Sequence, residues 1–145
     1  MKQKAWAVTA GLMAAAMLAI AAAAVFLGPC TGTLELANGG AAPMKCHWTY
    51  RAVTALALAG AVFAAYSGTL STKEGRRTAA VAQALSAVLI ALLPLFVIGT
   101  CADEAMQCNV TKVYVLALVA VVLVIAAVQF VKADPEKEDL PKARV

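Results

Sequence analysis

The sequence predicts an all-α integral membrane protein. It is read as a four-helix, up-down-up-down transmembrane bundle made of two pseudo-repeated hairpins, with two disulfide-bearing external loops. Three observations carry this. The 145 residues are 63% hydrophobic and 14% charged, with a mean hydropathy of +0.82, whereas soluble domains are about a quarter charged. Four long apolar stretches, about residues 5–27, 49–70, 78–100 and 112–131, each reach the ~20 residues that cross a bilayer. Finally, Met-x-Cys-x-x-Thr occurs twice, 62 residues apart, as Met44-Lys45-Cys46-His47-Trp48-Thr49 and Met106-Gln107-Cys108-Asn109-Val110-Thr111. Each copy has a cysteine upstream (Cys30, Cys101), a basic residue within two positions downstream (Arg51, Lys112), and an apolar stretch on either side. The membrane domain is therefore expected over 1–132, as repeat one (1–70) and repeat two (74–132).

The first stretch is alanine-rich and follows Lys2 and Lys4. Leu27-Gly28-Pro29-Cys30 has the outline of a lipoprotein cleavage box, but Pro29 stands where a small residue is required. The segment is therefore read as a retained span. The loop that follows contains Asn38-Gly39-Gly40, a strong turn signal, so Thr33–Ala37 and Ala41–Lys45 are expected to pair as a small hairpin. Trp48 and Tyr50 then fall at headgroup level, where amphipathic rings settle.

In the second stretch Gly60 and Ala64 are four apart, as are Gly11 and Ala15 in the first. Both pairs are expected to let helices approach closely. A short basic joint, Ser71–Thr78, makes consecutive helices antiparallel neighbours. Pro94 is expected to kink the third stretch near its outer end. The fourth is rich in valine, including Val119, Val121, Val122 and Val124, and is expected to face lipid or a partner. Residues 133–145, with mixed charge and two prolines, read as a flexible cytoplasmic tail.

Charge sets the orientation. Lys2, Lys4, Lys73, Arg76, Arg77, Lys132, Lys137, Lys142 and Arg144 are nine of the twelve Lys/Arg, and all fall on one side. By the positive-inside rule that side is cytoplasmic, so both termini lie inside and both cysteine loops outside a cytoplasmic (inner) membrane. The net charge of +4 then reports topology, and no nucleic-acid partner is expected. The interiors of the spans hold Thr54, Gln83, Ser86 and Gln129 but no Asp, Glu, Lys or Arg, which argues against an autonomous pump or channel.

Four cysteines in an oxidising compartment make disulfides the default. Of three connectivities, Cys30–Cys46 with Cys101–Cys108 respects the repeat and is favoured; Cys46–Cys108 is the competitor. A bridge closing about 15 residues stabilises by roughly 3 kcal/mol through chain entropy. Two sharper chemistries compete with stapling. Lys45 and His47 flank Cys46 and suit a stabilised thiolate, as a quinone-linked thiol-disulfide oxidoreductase would need, although no Cys-x-x-Cys is present. Met44, Cys46 and His47, with Met106 and Cys108, are soft donors suited to copper. No resident metal or cofactor is expected outside those two alternatives. The first loop differs most from the second, and Glu35, Met44, Lys45, His47 and Trp48 form the candidate interaction site.

Gly28-Pro29-Cys30-Thr31-Gly32, followed by Pro43-Met44-Lys45-Cys46-His47-Trp48-Thr49, resembles the signature of a bacterial family of small four-helix membrane proteins, domain of unknown function 4418. The resemblance covers most of the chain. It implies a companion of ATP-driven permeases of the MacB/FtsX type, hence a non-enzymatic accessory or structural subunit docked on an ABC-type transporter permease. It transfers no catalytic residues.

Overall fold

The computed structural model describes residues 3–28, 32–100 and 106–133. Cys30 and Cys101, with their expected disulfides, and the expected flexible tail from residue 134 lie outside the described residues. The elements run α1 (Gln3–Phe26), β1 (Thr33–Glu35), β2 (Ala41–Pro43), α2 (Lys45–Ser67), α3 (Lys73–Leu92), a π-helical turn (Leu93–Val97) and α4 (Gln107–Lys132). Four helical segments of 24, 23, 25 and 26 residues are long and apolar enough to cross a membrane. At 1.5 Å per residue each exceeds a ~30 Å hydrocarbon layer, which is why the helices begin before the apolar stretches do.

The helices pack in a ring, α1 against α2 and α4, and α3 against α2 and α4. Polar contacts fix the directions. Trp6 at the start of α1 donates from Nε1 to the Ser67 carbonyl at the end of α2, at 2.8 Å. Gln83 of α3 donates to the Gly60 carbonyl of α2 at 3.1 Å. Arg77 of α3 lies over the Phe130 ring of α4, 5.7 Å from its centroid. Sequential helices are thus antiparallel. One end of the bundle carries Gln3, Lys132 and the α2–α3 joint, and the other carries the β-hairpin and the α3–α4 connection.

The joint end is held by a small network. Arg76 sits 5.2 Å from the Trp6 ring centroid, donates from Nε to the Leu70 carbonyl at 3.0 Å, and bonds the Gln3 side chain. Thr72 caps α3 by accepting from the Gly75 amide at 3.3 Å.

The core is built from small and medium side chains: Met13, Met17 and Ile20 from α1, Val53, Ala57 and Ala61 from α2, Ala87 and Ile90 from α3, and Val115, Val119 and Val122 from α4. Gly60 and Ala64 are buried as expected. A Cβ on Gly60 would meet Met17 Sδ and Cε at 3.2 Å, so the glycine makes room for that thioether. Gly11 and Ala15 do the opposite of the expectation: both are exposed, and nothing lies within 4 Å of a Cβ built on Gly11. The spacing of the two pairs is equal, but only on α2 does it coincide with the inward stripe. The valines of α4 divide in the same way, with Val119 and Val122 buried and Val121 and Val124 exposed.

Burial repeats along the chain. At a spacing of 62 residues, buried positions of α2 meet buried positions of α4: Cys46 and Cys108, Thr49 and Thr111, Val53 and Val115, Ala57 and Val119, Gly60 and Val122, Ala64 and Ala126, Ser67 and Gln129. In α1 and α3 the spacing is 70, as in Met17 and Ala87, Ile20 and Ile90, Ala24 and Pro94. Beyond Pro94 it becomes 71, because Gly28 and Gly99 are the left-handed residues (φ 67° and 80°) that end the two segments. The π-turn absorbs the extra residue. Pro94 has no N–H to continue the α ladder, and the Ile98 and Gly99 amides both donate to the Leu93 carbonyl, at 3.1 and 3.2 Å.

Candidate functional site

At the loop end, α2 and α4 start alike. Met44 and Met106 are extended N-cap residues, and the His47 and Asn109 amides each donate to the cap carbonyl at 3.0 Å. One residue into each helix the chain turns inward, which buries Cys46 and Cys108 completely. Three residues later Thr49 and Thr111 are equally buried. Their hydroxyls cross between halves: Thr49 donates to the Gly99 carbonyl at 2.9 Å, and Thr111 to the Gly28 carbonyl at 3.3 Å. Each threonine thereby approaches a carbonyl left without a helical partner at the end of the opposite half's first helix.

Tyr50 adds a further link. It was expected among the lipid headgroups, yet it is buried between helices and its hydroxyl donates to the Cys108 carbonyl. A ring near a helix end suits either an interface or a neighbouring helix, and here a buried acceptor in α4 decides.

The candidate interaction residues separate into three groups. Glu35, Lys45 and Trp48 are exposed. Met44 is half-buried and packs against the core; its Cε would lie 2.7 Å from a Cβ on Gly32. His47 is half-buried, edge-on to Trp48 with ring centroids 5.7 Å apart. Cys46 and His47, adjacent in sequence, therefore point to different sides of α2. Among the described residues no three of His, Cys, Asp and Glu converge as a metal site would require. No disulfide joins Cys46 to Cys108 among them either.

Among the described residues, two features mark the loop end of the first half. The β-hairpin was legible in the sequence: Thr33 pairs with Pro43 and Glu35 with Ala41, closed by Gly39 at φ 80° and by an Asn38 side chain accepting from Gly40 at 3.2 Å. Below it lies a groove of about 480 Å³ between α1 and α2, lined by Ala24, Val25, His47, Tyr50, Arg51, Thr54, Ala55 and Leu58. Sequence reasoning missed the groove, although His47, Arg51, Thr54, Ala55 and Leu58 follow helical spacing along one face of α2.

A family model for a domain of unknown function, DUF4418, matches residues 12–132. That span includes α1 from Leu12 onward, the whole of α2, α3 and α4, and both Met-x-Cys-x-x-Thr copies. The chain belongs to the DUF4418 family. No curated protein and no solved structure matches it. Within this DUF4418 chain the matched stretch takes in the residues of the reciprocal threonine contacts, the hairpin and the groove.

Proposed function

We propose that this DUF4418 member is a non-enzymatic accessory subunit of the bacterial cytoplasmic membrane, docking through its external hairpin on an ABC-type transporter permease. The observation that carries the reading is an apolar ridge outside the membrane-length helices. Leu34 and Leu36 lie two residues apart on the extended arm of the hairpin and are 54% and 48% exposed. Alternate residues of an extended strand share a face, so the two side chains form one patch. Exposed apolar patches with polar neighbours, here Glu35 and Lys45, are characteristic of protein contacts. The gathering of nine of the twelve Lys/Arg on one side supports a cytoplasmic face there and an external hairpin.

The matched burial of α2 with α4, and of α1 with α3, supports a duplicated hairpin. Burial of Cys46 and Cys108 where the loops re-enter the bundle supports local staples to Cys30 and Cys101. Enclosure of Cys46 and Cys108 works against exchange with an external dithiol, and the divergence of Cys46 from His47 works against copper handling.

Photo-crosslinking from position 34 or 36 of the full chain in cells tests the proposal. The expected product is a cross-link to a permease of this class. A Leu34→Ser/Leu36→Ser variant should lose co-purification of that permease while still inserting in the membrane. Absence of any protein cross-link, with permease assembly unaffected when the chain is deleted, would overturn it. Alkylation mass-shift mapping separates the redox alternative. A cysteine pair that opens under mild reductant and turns over with substrate oxidation and a quinone would replace the accessory reading.

A further inference from the structure

We infer that the α1–α2 groove is a specific site for one anionic glycerophospholipid, with its phosphate on Arg51 and an acyl chain against Ala24, Val25, Ala55 and Leu58. The inference is independent of permease docking and rests only on the helices spanning a membrane.

The groove has the right polarity gradient. Toward the middle of the bundle it is lined by Ala55 and Leu58, Ala24 and Val25 form its α1 side near the loop end, and its loop-end rim carries Arg51 and His47, with Tyr50 and Thr54 beside them. The Thr54 hydroxyl is spent on the Tyr50 carbonyl at 2.8 Å, so the deeper wall offers no free donor and suits hydrocarbon. From His47 to Leu58 is eleven residues, about 16 Å of helix, which matches one leaflet of a ~30 Å hydrocarbon layer. The volume of about 480 Å³ lies inside the roughly 300–1,000 Å³ range of small-ligand sites.

Charge selects the headgroup. Among the described residues no carboxylate pairs with Arg51, and no acidic residue lines the groove. A guanidinium at a membrane boundary matches phosphate oxygens in a two-pronged geometry. An anionic headgroup leaves that phosphate uncompensated, whereas a zwitterionic one brings its own ammonium group.

The second half isolates the feature. At the 62-residue spacing Arg51 corresponds to Val113, His47 to Asn109 and Thr54 to Leu116. The loop-end basic residue of α4, Lys112, is turned to Thr100 Oγ1 at 3.5 Å. At the loop end, among the described residues, the first half sets the cation Arg51 on the rim of its apolar groove where the second half has the apolar Val113.

Native mass spectrometry of the full chain, titrated with phosphatidylglycerol or phosphatidylethanolamine in mild detergent, tests the site. One phosphatidylglycerol per chain is expected, favoured about fivefold or more, the scale of one charge-assisted contact at a partly wet boundary. Arg51→Gln should bring the two lipids to parity. Ala55→Trp, which fills the groove, should lower the occupancy of both, while Lys132→Gln, at the opposite end of the bundle, should change neither. Thermal unfolding of each variant controls for folding. Equal binding of both lipids by the wild-type chain would overturn the inference, as would indifference to both Arg51→Gln and Ala55→Trp. Displacement of lipid by an uncharged quinone with Arg51→Gln silent would also overturn it.

Discussion

The hydroxyl of Thr49 reaches across the bundle to the carbonyl of Gly99, 50 residues away and at 2.9 Å. Thr111 returns the contact to Gly28 across 83 residues. Both threonines also meet the carbonyl four residues earlier in their own helices, at 3.2 and 3.1 Å, so each hydroxyl bridges a local and a distant acceptor.

Thr49→Val and Thr111→Val are therefore expected to weaken cohesion of the two halves. Side-chain hydrogen bonds between membrane helices are worth about 0.6 kcal/mol on average and about 1.7 at most. Each variant should fall in that range, and the double variant should approach the sum because the bonds have no shared partner. Steric-trapping measurements of unfolding in bicelles would check this; a cost confined to one of the two sites would break the equivalence.

Gly60 offers a sharper contrast. Alanine gains roughly 0.8–1 kcal/mol of helix propensity, which offsets the strain of pushing the mobile Met17 side-chain end from 3.2 Å. Gly60→Ala should be close to neutral. Gly60→Leu overfills the same gap and should cost about 1–3 kcal/mol, with partial recovery in Gly60→Leu/Met17→Ala. Thermal unfolding of the four proteins would settle it.

Gln83 is buried with its amide nitrogen bonded to Gly60 and its Oε1 without a hydrogen-bond donor. A partly satisfied amide in an apolar interior is a poor stabiliser. Gln83→Leu should thus hold or raise stability, whereas Gln83→Glu should lower it by about 2.5–3.5 kcal/mol, the insertion cost of a central charge. A Leu variant less stable than the Glu variant would contradict this account.

Cys46 and Cys108 have no exposed surface. In variants whose single cysteine is Cys46 or Cys108, a membrane-impermeant maleimide should leave the folded protein unlabelled and react fully after denaturation. Rapid labelling of folded Cys46 would show that the start of α2 opens on the timescale of the reaction.

Helix number, hairpin and turn were legible because each has a local cause: twenty apolar residues, or Asn-Gly-Gly between short extended arms. What failed was the choice of face. Small residues four apart read identically on α1 and α2, but Met17 needs space only opposite Gly60, so Gly11 stays outside. Tyr50 was misplaced because its acceptor lies 58 residues away in another helix. The groove escaped for a similar reason. Two of its eight lining residues, Ala24 and Val25, come from α1 and carry no chemical signature, and Arg51 and His47 alone mark its rim.

The π-turn at Leu93–Val97 makes the third helix a measured strip with one unit of slack. Removing a residue such as Leu95 would rotate everything beyond it by about 100° relative to a fixed α-helix, ordinarily ruinous for a packed span. Here the missing unit is the surplus one. A shortened chain is expected to recoil into uninterrupted α-helix with Gly99 still beneath Thr49, so this is the place in the bundle where length can change while the seam between halves stays closed.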